Sequence, residues 1–263
     1  MMIKLSNVQK ITLSAMMLVL TILGTRLPAL ISIPSLPFIR LSLGPSLIIF
    51  SSILLGPLYG AVIGVGSDLL GLVVFPSTGL SNINPFITII YGCLGILPWL
   101  LLFLTKKIRF SFKQPWIIYG VMFLLWIFVL VFLILNDSIT LYGNKVYEFD
   151  VLSKTLILSI SFVLMIGMSV SLFFVNKQFQ KRVLDYPNLP SPYEIAFISL
   201  ICELILMLII GSLVKSLMYE VDFLFIFFAQ SIMLFIDVPL NTFVVSYLLL
   251  LYSKVNSNNG VVN

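Results

Sequence analysis

The run PWIIYGVMFLLWIFVLVFLILN, residues 115–136, decides the class of fold, because it holds no ionisable acid or base across a length that crosses a bilayer. A spanning helix needs about 20 mostly apolar residues, since the hydrocarbon core leaves backbone polar groups no partner except one another. Working outward from that run, seven further segments meet the same criterion: roughly 9–29, 41–56, 57–75, 84–105, 151–175, 192–214 and 223–251. The second and third are short and meet at Gly56-Pro57-Leu58-Tyr59-Gly60, a glycine-proline punctuation that predicts a tight helical hairpin. The last is long enough to tilt or to run past the bilayer. The expectation is an all-α integral membrane protein, a single transmembrane domain over 1–263 with about eight helices.

Composition agrees. Hydrophobic residues make up 60% of the chain and charged residues only 10%. Water-facing domains carry about a quarter charged residues, so lipid must be the solvent for most of this surface. Mean hydropathy is +1.16. The formal charge of +5 is no nucleic-acid footprint, because the basic residues sit in short clusters between apolar runs. Cys93 and Cys202 lie within apolar segments without metal-type spacing, which reads as two inert buried thiols. The absence of histidine excludes zinc-histidine sites and histidine acid-base catalysis. No GxxxxGK[ST] loop is present, so any ATP-driven step belongs to another chain. Lys4 and Lys10 precede the first apolar stretch as in a signal peptide, but no small-residue cleavage site comes after it, so that stretch reads as a retained helix.

The basic residues also set an orientation. With the amino terminus inside, the inner connections hold ten Lys and Arg and the outer ones five. That bias places both termini in the cytoplasm. The loop 137–150, with three acids and one lysine, then lies outside. So do two stretches rich in breakers and polar residues, Pro28 to Pro37 and Pro76 to Pro85, which read either as the mouth of a cavity or as connectors.

Ionisable groups inside spanning segments cost about 3 kcal/mol each on insertion scales and need a partner or water. Here they are Arg26, Asp68, Glu203 and Asp237, with Arg40 at the start of the second segment. Arg26 either snorkels to headgroups or faces a solute, where its guanidinium stacks on a flat ring or forks onto a carboxylate. Asp68, on a one-carbon stem, cannot snorkel, so it pairs inside the bundle, Arg26 or Arg40 being the natural partner, or binds solute. Glu203 and Asp237 read as structural or proton-sharing groups near Gln230 and Asn241. Gly60 and Gly64, four apart, mark close helix packing.

Several motifs succeed one another in a characteristic order: Phe38-Ile39-Arg40-Leu41-Ser42-Leu43-Gly44, Leu54-Leu55-Gly56-Pro57-Leu58-Tyr59-Gly60-Ala61, Gly66-Ser67-Asp68-Leu69-Leu70-Gly71 and Val74-Phe75-Pro76. They resemble the substrate-binding S components of energy-coupling factor (ECF) vitamin importers, and most closely the folate-specific branch. Arg26, in Thr25-Arg26-Leu27, also matches the arginine near the end of that branch's first helix. The resemblance covers about residues 10–105 well and the last two helices in outline.

The resemblance implies a six-helix bundle, here with two additional transmembrane helices. Residues 1–105 would be the family-like helices 1–4, 106–180 an inserted helix pair, and 181–263 the last two helices. An even insertion preserves the in-out sense of the two helices after it. The resemblance further implies a non-enzymatic subunit of a bacterial cell membrane, without cofactor or metal. It would capture folate or a related pterin from outside and dock on a transmembrane coupling subunit driven by two cytoplasmic ATPase subunits. Riboflavin, another vitamin or a queuosine-type base fits the same class. The expected substrate-binding residues are Arg26, Arg40, Asp68, Asn82, Asn84 and Tyr91, with Arg26 on the ring and the loop from Asn82 to Asn84 as a cap. The chain departs from the family at its first helix, where Ser14-Ala15-Met16-Met17-Leu18-Val19 lacks the intact AxxxA docking motif. From a different class, a proton-coupled carrier or membrane-embedded enzyme would use Asp68, Glu203 and Asp237.

Overall fold

The structure is a computed structural model that describes residues 6–29, 42–75, 84–108, 115–141, 145–183 and 189–258. Its helices coincide with the apolar runs. They are α1 (Asn7–Ala29), α2 (Gly44–Leu55), α3 (Pro57–Val74), α4 (Pro85–Ile108), α5 (Trp116–Leu135), α6 (Val151–Val183), α7 (Pro192–Cys202), α8 (Gly211–Tyr219) and α9 (Phe223–Asn258). A π-helical stretch, Glu203–Ile210, joins α7 to α8 without a break, so Pro192–Tyr219 is one span. Among the described residues seven helical runs are long and apolar enough to cross a membrane. The protein is therefore a multi-pass, all-α membrane protein.

α2 holds the remaining place in the sequence count of eight. Its 12 residues reach only about 18 Å at 1.5 Å per residue. It can be short because it is sheltered: ten of its residues are buried, among them Ser46, Ser51 and Ser52. Gly56 closes its carboxyl end at φ 98°, a conformation that side chains resist, and Pro57 opens α3 where a missing N–H costs nothing. The expected hairpin is present.

α3 and α4 pack backbone to backbone. A Cβ on Gly60 would overlap the Gly95 carbonyl, and one on Gly64 would overlap the Tyr91 carbonyl. Pro98 interrupts α4, and the Trp99 N–H next to it donates to Ser52 Oγ on α2 at 3.3 Å. Neighbouring side chains satisfy a proline-disturbed backbone in this way inside membranes. Pro28 has a similar effect in α1. It has no N–H to give the Gly24 carbonyl, which instead accepts the Leu43 N–H at 3.1 Å, so the start of α2 is tied to the end of α1.

Three buried clusters organise the interior. The largest, around Ile48, Ile49, Ile63 and Leu94, joins α1–α4 to α7 and α9. The other two, around Met122 and Phe235 and around Val129 and Ile226, hold α5 and α6 against α7 and α9. α5 and α6 thus pack on the last two spans. The connection between α5 and α6, read from sequence as a plain loop, carries an antiparallel hairpin, β1 (Ser138–Leu141) with β2 (Lys145–Glu148). Ile139, Thr140, Val146 and Tyr147 are good strand residues, but strands of four residues leave little periodic signal between two long apolar runs. α7 begins with a capping box: Ser191 Oγ accepts the Glu194 N–H, and the Glu194 carboxylate accepts the Ser191 N–H at 2.8 Å.

Candidate functional site

α1, α3, α4, the 192–219 span and α9 enclose a cavity with about 1000 Å³ of empty space, counting its open mouth. Every described lining residue belongs to α1–α4, the 192–219 span or α9, apart from Ser42, two residues before α2; among the described residues α5 and α6 contribute none.

α1 supplies Thr25 and Arg26. The end of α1 is turned into the bundle, and Arg26 is only 4% exposed, so it does not snorkel. Its Nη2 donates to the Asp68 backbone carbonyl at 3.0 Å and lies 3.4 Å from Asp68 Oδ1. Its Nε is buried with no hydrogen-bond partner. The guanidinium lies against Gly71, where a Cβ would come within 2.6 Å of Nε. Buried polar atoms are rarely left unpaired, and one beside a cavity marks a place for a ligand acceptor.

α3 supplies Ser67 and Asp68. The Asp68 carboxylate serves two partners: Oδ1 faces Arg26, and Oδ2 accepts the Thr88 hydroxyl of α4 at 2.7 Å. Sequence reasoning missed Thr88. Its only signal was a hydroxyl three residues before Tyr91 on the same helix. Tyr91 lines the cavity from α4 with Ile87.

Asn84 stands elsewhere. It caps α4, its side-chain oxygen accepting the Phe86 N–H at 2.9 Å and its carbonyl the Ile87 N–H at 3.1 Å, and it is absent from the cavity lining. Asparagine before proline at a helix start favours that local role. Arg40 and Asn82, also expected in the site, lie outside the described residues, as do most of the two breaker-rich loops expected at its mouth.

The far side of the cavity is the main difference from the sequence expectation. Glu203, Met207, Lys215, Tyr219, Gln230 and Asp237 all line it. Glu203 opens the π-helical stretch and is 3% exposed; its Oε1 accepts Asn241 Nδ2 at 2.8 Å, and Asn241 Oδ1 in turn accepts the Ser46 hydroxyl of α2. This chain of three residues pins the span at Glu203 to α9 and α2. π-Helical turns recur at functional sites because the extra residue per turn re-aims the side chains around it. The sequence offered Glu203 and Asp237 as charged residues in apolar runs, read as structural or proton-sharing, but no periodicity reveals a π-turn. Lys215 lines the same cavity as Glu203 and Asp237.

The arrangement can bind a polar solute by charge, hydrogen bond and an aromatic surface. Among the described residues no three His, Cys, Asp or Glu side chains converge to hold a metal ion. In comparisons with known proteins, no family model, no curated protein and no solved structure matches this chain.

Proposed function

We propose that the chain is the substrate-binding membrane subunit of an ECF-type importer. It would capture folate or a related pterin outside a bacterial cell membrane and deliver it inward with a coupling subunit and two ATPase subunits. The observation that carries the reading is the cavity beside Arg26: a buried guanidinium whose Nε has no hydrogen-bond partner, held by Asp68, in a cavity that Tyr91 also lines. Its lining by the family-like helices alone agrees with the motif order in residues 10–105, which the added pair leaves undisturbed. Both termini face the cytoplasm on this reading, in keeping with the ten-to-five distribution of basic residues.

Binding of folic acid to the purified chain, measured by isothermal titration, tests it. Arg26→Ala should abolish binding while membrane insertion and the size-exclusion profile stay normal. An unchanged affinity removes Arg26 from the site. Mass spectrometry of whatever solute co-purifies identifies the cargo directly. Proton-driven uptake by the reconstituted chain alone would instead identify a carrier working through Asp68, Glu203 and Asp237.

A further inference from the structure

The three buried clusters differ in what they give the cavity. The one around Ile63 and Leu94 packs with Ile87, Tyr91 and Met207 of the lining, and the one around Met122 and Phe235 with no described lining residue. The third, around Val129 and Ile226, packs with one, Tyr219, the last residue of α8. That cluster also takes two side chains from the connection between α5 and α6, Phe149 and Ile139.

Phe149 is an exception in its own stretch. Val146, Tyr147, Glu148 and Asp150 around it are exposed, whereas Phe149 is buried. Its N–H donates to the Asp137 carbonyl at 2.7 Å, and its ring meets Tyr147 edge-on with centroids 5.5 Å apart. The Tyr219 end is equally particular. Three residues separate α8 from α9, and the first, Glu220, is left-handed at φ 54°. Glycine usually takes that place after a helix, and a residue with a side chain stays there only where its surroundings over-determine it. Within the turn, Ser216 Oγ donates to the Val221 carbonyl at 2.7 Å, and Asp222 caps α9 by accepting the Leu224 N–H at 2.9 Å. Outside it, Val221 is buried in the cluster that Phe149 completes.

We propose that the hairpin braces the cavity wall, with Phe149 as a positioning residue. By filling the cluster that buries Val221, it keeps the strained turn in place and the Tyr219 side chain toward the solute. The inference rests on the vitamin-binding reading and goes beyond it, giving the connection between α5 and α6 a part in binding that it plays without touching the solute. Truncating Phe149 frees the turn to relax, so affinity falls although no contact to the solute is removed.

The test uses the full chain in detergent, with folic acid binding measured by isothermal titration. Phe149→Ala should weaken binding by about fivefold or more, the worth of one lost contact, and Phe149→Leu should restore it. Tyr219→Ala should also weaken binding, and adding Phe149→Ala to it should cost nothing further, because residues acting through one another are not additive. A merely structural role would give independent losses that multiply, and that result overturns the brace. So does wild-type affinity in Phe149→Ala or in Tyr219→Ala. If Phe149→Ala does not fold, Ile139→Ala, which trims the same cluster from a half-buried position, decides by the same criteria. If the wild type does not bind folic acid, the vitamin reading falls, and amide exchange across residues 219–222 decides the brace alone. Faster exchange in Phe149→Ala upholds it, and an unchanged rate overturns it.

Discussion

At the scale of single residues, the site depends on how near the backbones of α3 and α4 come to each other. Gly64 lies against the Tyr91 carbonyl, and Tyr91 lines the cavity, so this packing contact also positions a wall of the site. Gly64→Ala should push the helices apart, costing about 1–3 kcal/mol as overpacked cores do, and should weaken folic acid binding by displacing Tyr91. Gly120 on α5 has nothing within 4 Å of its missing Cβ. There the same substitution should raise the thermal transition in detergent, by about 0.5–1 kcal/mol of helix preference. Matching transitions for the two variants would refute the close-packing account. The four-residue spacing of Gly60 and Gly64 made this seam legible in the sequence. Arg26 was legible as a misplaced charge, although its depth was not. Thr88 was not legible as a site residue, and Glu203 and Asp237 were legible only as structural or proton-sharing groups or as the carboxylates of a carrier or enzyme, because their place beside Arg26 depends on which helices meet, and one sequence does not fix that.

At the scale of elements, the hairpin between α5 and α6 is tied down at its base. Asp137 accepts the Phe149 N–H through its carbonyl, and its carboxylate meets Lys154 Nζ at 2.7 Å. The hydrogen bond and charge of Lys154 hold the Asp137 carboxyl below its ordinary value of 3.8. A group whose folded value is depressed stabilises the fold at pH above the ordinary value and loses that contribution as pH falls through the folded one. Amide exchange at Phe149, corrected for its intrinsic pH dependence, should therefore be steady from neutrality to about pH 4 and quicken below it, and Lys154→Met should quicken it at neutral pH as well. An exchange rate indifferent to both changes would show that the pair does not hold the hairpin. The effect is small, because Asp137 is exposed. Helices were the most legible elements, since long apolar runs have few other ways to satisfy their backbones in lipid. The hairpin and the π-helical stretch were not, because each is set by local pairing that composition does not record.

At the scale of the molecule, the chain divides by function along its helices. α5 and α6 pack against α7 and α9 through clusters that include Met122, which is 1% exposed, and among the described residues they send no side chain to the cavity. Met122→Ala should therefore lower the thermal transition and leave the folic acid dissociation constant unchanged. The loss is about 2–5 kcal/mol in a water-soluble core. It should fall near the lower bound here, because lipid tails solvate a methyl group about as well as protein does. A matching loss of affinity would mean that α5 and α6 brace the site after all.

The missing proton of Pro28 has a mechanical consequence. Because the Gly24 carbonyl is held by Leu43, the last turn of α1 and the first of α2 share one latch. Arg26 sits inside that turn and Ser42 just before the other, so one backbone hydrogen bond ties together the two helix ends that carry these lining residues.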